Sequence, residues 1–283
     1  MNPATRARFS LLAAAALMST GGAAIKLCTL SSWQVASFRS GIAALTLLWL
    51  MPVTRREFDR HALLGGAAYA ATMILFVLAN KLTTSANAIF LQSTAPLYIL
   101  LLAPWLLGEP TRRADLLVMA AMAVGLGLFF VGEQPAFATA PQPLQGNLIA
   151  AVDGITWALT VMALRWSSRD AAVSSGAMLL TGNLIAFLVC LPLAVPIESV
   201  SGLDASVIVY LGAAQIALAY VFASAGLRRV TALEGMLLLL FEPVLNPLWA
   251  ALVHGERPGM WALLGGAIVL AATVTNALRG RAA

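Results

Sequence analysis

The chain has 283 residues, 60% of them hydrophobic and only 10% charged, with a mean hydropathy of +0.88. A soluble domain carries about 25% charged residues to wet its surface, so this composition excludes a soluble globular fold and fits lipid as solvent. The net charge of +5 does not indicate nucleic acid, because basic residues in so apolar a chain belong to loops, where they set orientation.

Ten apolar stretches can be read along the chain. Arg6 and Arg8 followed by the run from Phe9 to Ile25 have the pattern of a signal peptide, but many spans follow, so this run is expected to remain as span 1, residues 8–27. The next spans are expected at 33–53, 62–80, 82–108, 112–132, 146–166, 171–197, 205–227, 231–253 and 258–278. At about 20 residues per membrane-crossing helix, ten spans take roughly 200 residues and leave no room for a soluble catalytic domain. With the N-terminus inside, the inner loops hold thirteen basic residues: Arg6, Arg8, Arg55, Arg56, Arg60, Arg112, Arg113, Arg165, Arg169, Arg228, Arg229, Arg279 and Arg281. The outer segments hold three, Lys26, Lys81 and Arg257, and Arg39 falls inside span 2. One span more or fewer would swap the sides of every later loop, so this asymmetry predicts ten spans with both termini cytoplasmic.

The chain also repeats itself. Pro96, Gly108 and Glu109 recur 147 residues later as Pro243, Gly255 and Glu256, and the same shift joins Gly65 to Gly212, Lys81 to Arg228 and Thr84 to Thr231. Nearer the start a shift of 139 or 140 joins Lys26 to Arg165 and Pro52 to Pro192. The expected organisation is therefore an all-α membrane protein of two five-helix units, 1–133 and 146–283, joined by a periplasmic linker at 134–145. Because five is odd, the second unit enters the membrane from the opposite side, and inverted repeats are a physical route to alternating access.

The paired Pro96…Gly108-Glu109-Pro110 and Pro243…Gly255-Glu256-Arg257 motifs, and the opening of span 2 at Phe38-Arg39-Ser40-Gly41, resemble the EamA family of the drug/metabolite transporter superfamily across essentially the whole chain. That resemblance implies a multi-pass exporter of amino acids or related metabolites in the bacterial inner membrane, with aromatic amino acids among the substrates considered. Arg257 departs from the pattern, since the first copy has Pro110.

An ionisable group at bilayer depth costs about 2.5 to 3.5 kcal/mol on insertion scales and tends to face a cavity or a partner. Glu242 stands before Pro243 on a helical stripe with Thr231, Gly235, Leu238, Asn246 and Trp249. It is read either as a site for a cation or proton or as a neutral carboxyl tying helices together. Asp153 shares a face of span 6 with Thr156, Trp157 and Thr160, forming a pocket wall unless its nearness to the span end solvates it. Arg39 lies about 9 Å below the outer end of span 2 and is read as a snorkelling structural anchor over a carboxylate-binding group. Further candidate contacts are Ser85, Gln92 and Tyr98 in span 4, Tyr69, Thr72, Phe76 and Asn80 in span 3, and Gln215, Tyr220 and Phe222 in span 8. Pro96 and Pro243 are candidate hinges, each freeing a carbonyl one turn earlier.

Gly125, Gly127, Gly265 and Gly266 permit close helix crossings, within the chain or in a homodimer. His61 and His254 fall at loop edges, and each Gly-Glu pair is expected to end a helix and meet loop arginines. Cys28 and Cys190 stand apart without metal-ligand spacing and are read as packing residues; no metal or cofactor is expected. The chain lacks a phosphate-binding Gly-rich loop, Gly-x-Ser-x-Gly and His-Glu-x-x-His, which excludes ATP hydrolysis and argues against an enzyme. The leading reading is a secondary exporter of amino acids, with a small-molecule substrate and the bilayer as its partners. Efflux of other amphipathic metabolites and a passive channel remain alternatives.

Overall fold

The computed structural model describes residues 2–51, 60–106, 113–131, 136–167, 175–230 and 232–279. Within them every regular element is a helix, and the sole strand-like feature is a bridge between Phe137 and Ala140. Span 1 is α1 (Pro3–Ser19) and α2 (Gly21–Leu27), span 2 is α3 (Ser32–Leu50) and span 3 is α4 (Arg60–Leu82). Span 4 is α5 (Ser85–Gln92) and α6 (Ala95–Leu106), followed by α7 (Arg113–Leu128), α8 (Pro143–Ser167) and α9 (Ser175–Ala194). Span 8 runs through α10 (Gly202–Val209), a π-helical segment (Tyr210–Leu218) and α11 (Ala219–Leu227); α12 (Ala232–Leu239), α13 (Phe241–His254) and α14 (Met260–Arg279) complete the chain.

Eight of these segments are long and apolar enough to cross a membrane. The two that fall short are α3, diluted by Gln34, Arg39 and three serines, and the shorter α7. Large apolar side chains such as Trp49, Trp105 and Leu252 point outward, as expected where lipid replaces water.

Local chemistry sets the helix starts and breaks. Ser31 and Ser201 open α3 and α10 as capping boxes with Gln34 and Asp204, and the Thr84 hydroxyl accepts the Asn87 amide hydrogen to open α5. Span 4 breaks after Gln92 and span 9 after Leu239, each four residues before a proline, Pro96 or Pro243, that has no hydrogen to give that carbonyl. The break at Ser93 recurs 147 residues later at Leu240. Pro104, Pro192 and Pro247 lie inside helices without a break.

Packing repeats with the sequence. From the first unit, α4 lies on α8 and α9 of the second, while α5 and α6 lie on α8. Exchanging the units turns these contacts into α11 on α1, the π-helical segment on α3, and α12 and α13 on α1, all of which are present. The contacts α3 with α9 and α7 with α14 map onto themselves, whereas among the described residues α5 packs on α13 without a comparable contact between their counterparts, α12 and α6. Gly125 and Gly265 meet at the α7–α14 crossing, where a Cβ on either would come within 2.6–3.0 Å of the other's carbonyl oxygen. Gly266 backs onto Phe90, and Gly127 faces open space.

Several expectations shift. Spans 3 and 6 are longer than expected and span 7 ends earlier, at Ala194, with the linker's last residues already in α8. The Gly108-Glu109-Pro110 motif, Arg55, Arg56, Arg112, Arg169, Arg281, Pro52 and Thr231 lie outside the described residues, as do the side chains of His61, Arg165 and Arg279.

Candidate functional site

One end of the bundle is tied together by a buried polar network. Lys26, at the close of α2, forms an ion pair of 2.6 Å with Glu256, their side chains only 2% and 1% exposed. The same ammonium donates to the carbonyls of Thr83 and Thr139, and Glu256 Oε2 accepts the Ser85 amide hydrogen at 2.9 Å. Asn147 Oδ1 accepts from Thr83 Oγ1 and Asn87 Nδ2, and its own amide donates to the Phe129 carbonyl. Lys81 donates to the Cys28 carbonyl, and Asp204 accepts from the amide and hydroxyl of Thr29. Gln34 reaches the Ala194 carbonyl. These bonds join the C-terminal ends of spans 1, 3, 5 and 7, with Glu256 just beyond span 9, to the starts of spans 2, 4, 6 and 8. Glu256 thus meets Lys26 rather than a loop arginine, because α13 ends at the left-handed Gly255 (φ 67°) and turns the carboxylate inward. His254 Nε2 lies 2.8 Å from the Ala23 carbonyl instead of in solvent.

Below this network, polar atoms converge on the break in span 1. A Cβ on Gly22 would stand 2.8 Å from Asn246 Oδ1, 2.8 Å from Ser85 Oγ and 2.9 Å from Asn80 Oδ1, and one on Gly21 would touch Gln215 Nε2. Those three oxygens, with Asn246 Nδ2 and Gln215 Oε1, are buried and have no hydrogen-bond partner among the described residues. Gln215 Nε2 donates to the Met18 carbonyl at 3.3 Å, Trp249 Nε1 to Ser19 Oγ at 2.9 Å, and the Thr20 and Tyr210 hydroxyls are 2.7 Å apart. Only glycine lets four spans approach so closely.

A second polar centre lies where α3, α4, α5 and α8 meet. Asp153 is fully buried; its Oδ2 accepts from Gln92 Nε2 at 2.9 Å and its Oδ1 from Thr156 Oγ1 at 3.2 Å. Thr72 Oγ1 donates to Thr156 Oγ1 at 3.0 Å and lies 3.4 Å from Thr160 Oγ1, whose hydrogen serves the Thr156 carbonyl of its own helix. Tyr98 packs against Gly154, and Trp157 lies on the cluster that holds Tyr69 and Tyr220. Arg39 does not snorkel: it is 1% exposed, and its Nη2 donates to the Met73 carbonyl at 2.7 Å. With α4, α9 and the π-helical segment packed around α3, the side chain has no route to the surface.

The face of α4 that carries Tyr69, Thr72, Phe76 and Asn80 is buried throughout and connects the two centres. Phe76 itself joins the apolar core, and its carbonyl accepts from Asn80 Nδ2. The stripe read through span 9 is not continuous. The break at Leu240 puts Glu242 in the first turn of α13, with Tyr220 as its electrostatic neighbour, while Asn246 is buried and Trp249 is 36% exposed. Sequence reasoning missed Lys26, Asn87, Asn147 and Asp204. The signal for Lys26 and Glu256 was in the repeat, which gives each unit a basic residue ending its first span and a glutamate after its fourth.

The model of the EamA-like transporter family matches the chain twice, over residues 5–131 and 144–278. Among solved structures 28 chains match. One of them, described only as "Crystal structure of protein", aligns at 21% identity over 98% of each chain with a TM-score of 0.65, a likeness of fold alone. No curated relative matches.

Proposed function

Because this chain belongs to the EamA-like transporter family, we propose that it is a secondary transporter exporting amino acids or similar small metabolites across a bacterial inner membrane by alternating access. In this reading ten spans cross the bilayer as two inverted five-helix units, both termini are cytoplasmic, and the Lys26 end faces the periplasm. The thirteen-to-three distribution of basic residues supports that orientation.

The observation that carries the reading is the cluster of unpartnered polar atoms from Asn80, Ser85, Asn246 and Gln215 around Gly21 and Gly22. Buried polar groups are almost always paired, and five orphans at the meeting of four spans suit a polar ligand that comes and goes. The strip along α4 joins them to Asp153, Gln92, Thr160 and Trp157, giving hydrogen-bond donors, acceptors and a ring on which an aromatic side chain stacks. The proline break of span 4, next to Gln92, and its counterpart in span 9 are natural hinges.

Counterflow of labelled phenylalanine and alanine into liposomes holding only this protein tests the proposal. Uptake against unlabelled internal amino acid, with acceleration by substrate on the opposite side, is the expected outcome. Equilibration without such acceleration indicates a channel, and no movement of any amino acid overturns the substrate class.

A further inference from the structure

Arg39, Asp153 and Glu242 are ionisable groups at bilayer depth, and the repeat offers an internal control on what each position needs for packing. Shifting by the offsets of each region sets Arg39 against Met178 or Leu179, Asp153 against Ala13 or Ala14, and Glu242 against Ala95. Met178, Leu179, Ala14 and Ala95 are all buried. The contacts agree with this register: Gly212 abuts the Arg39 carbonyl oxygen, and its twin Gly65 abuts Met178. The fold therefore fills these places with apolar side chains in one unit and with charge in the other.

Of the cations in the described part of the bundle Arg39 is the most deeply buried, and it is poorly provided for. Among the described residues its hydrogen bonds leave from Nη2 alone, to the Met73 carbonyl and thioether, and its Nε is buried without a partner. No ion pair joins it to Asp153, although the two are electrostatic neighbours, with Tyr69 and Tyr220 close by. A guanidinium held only by a neutral carbonyl in a medium without water is incomplete; what completes it best is a carboxylate accepting parallel N–H bonds. Asp153 is in the complementary condition. Two of about four lone-pair sites on its carboxylate are occupied, by Gln92 and Thr156.

We propose that Arg39 and Asp153 recognise the two charged ends of a zwitterionic α-amino acid, Arg39 Nε donating to the substrate carboxylate and Asp153 accepting from the substrate ammonium. This rests on the amino-acid reading of the function and makes it specific. The side chain of the substrate then lies along the Trp157 ring, and compounds lacking either charged end are poor substrates. Arg39 thereby becomes a specificity-determining residue rather than an anchor.

Equilibrium binding to the purified full-length protein tests the assignment with three probes: phenylalanine, phenethylamine, which lacks the carboxylate, and 3-phenylpropionate, which lacks the ammonium. The wild-type protein should prefer phenylalanine to both. Arg39→Gln should weaken phenylalanine and phenylpropionate about 10- to 100-fold while leaving phenethylamine within about threefold, the range expected when one charge-assisted bond is lost. Asp153→Asn should do the reverse, sparing phenylpropionate. Arg39→Lys keeps the charge without the fork and should give the same pattern at smaller amplitude, which serves if the glutamine variant does not fold. Equal losses for all three probes in the Arg39 variants overturn the assignment and leave Arg39 a structural residue. If the wild-type protein binds no amino acid, the functional reading itself fails, an outcome distinct from the first.

Discussion

The interface of α4 with α8 and its counterpart, α11 with α1, are related by exchange of the two units and are built from different chemistry. The first carries Thr72, Thr156, Thr160 and Asp153 in a hydrogen-bonded chain. In the second, Gly226 presses on Leu11 and the Ala7 carbonyl, with Ala14 and Ala223 buried nearby. Duplication fixed the helix crossings, which depend on the size of side chains, and left the polarity of each crossing free to diverge. These two crossings are thus alike in placement and different in polarity.

The two ends of the bundle differ in the same sense. Lys26–Glu256 is buried, whereas Arg8–Glu234 at the opposite end is 55% and 30% exposed. The largest effect should come from breaking the buried pair: Glu256→Gln leaves Lys26 uncompensated and should cost about 3 to 5 kcal/mol of stability. Glu234→Gln should cost about 1 kcal/mol or less, because exposed pairs are screened. Thermal unfolding of both variants in detergent measures the contrast, and equal melting shifts would mean the Lys26 end is not the fastened one.

Intermediate effects should separate the two interfaces. Gly226→Ala drives a methyl to within 2.5 Å of Leu11 Cγ and should cost about 1 to 3 kcal/mol, with substrate preference unchanged. Thr156→Val removes the donor to Asp153 and the acceptor for Thr72, for a similar cost in stability, but it should also depress counterflow. If Gly226→Ala altered substrate preference as much as Thr156→Val does, the division between packing and chemistry would be wrong. The smallest effect belongs to Thr160→Val, expected at about 1 kcal/mol or less, because that hydroxyl serves a carbonyl of its own helix and, unlike Thr156, makes no bond to the Asp153 carboxylate. Near-normal counterflow in this variant would set Thr160 apart from the substrate contacts.

Much of this architecture was legible in the sequence, for stated reasons. Apolar length marks helices in a membrane protein, and the offset of 147 residues between Pro96 and Pro243 located both interruptions to within a turn. Hydropathy alone undervalued α3, since its polar residues are buried against neighbours rather than exposed to lipid. The site was legible by residue type and less so by arrangement. Gln92 and Asp153 were each singled out on one helix, yet their bond crosses from α5 to α8. Arg39 was misplaced because helical rise gives its depth and says nothing about which neighbours block its path outward. Lys26 looked like one of three outer basic residues, and only the approach of the segment after α13 makes it half of a buried pair.

The fastened end contains a natural reporter. Cys28 caps α2 beneath the Lys81 side chain, is buried, and forms no disulfide. Burial pushes its thiol up to about 11, so the thiolate that reacts with maleimides is scarce near neutral pH while this end stays shut. In the proposed transport cycle each opening of this end would wet the sulfur, restore an ordinary thiol and admit a membrane-impermeant reagent from that side alone. The alkylation rate of Cys28, with Cys190 replaced by serine, would then count openings in unmodified membranes and rise when a transported solute is supplied.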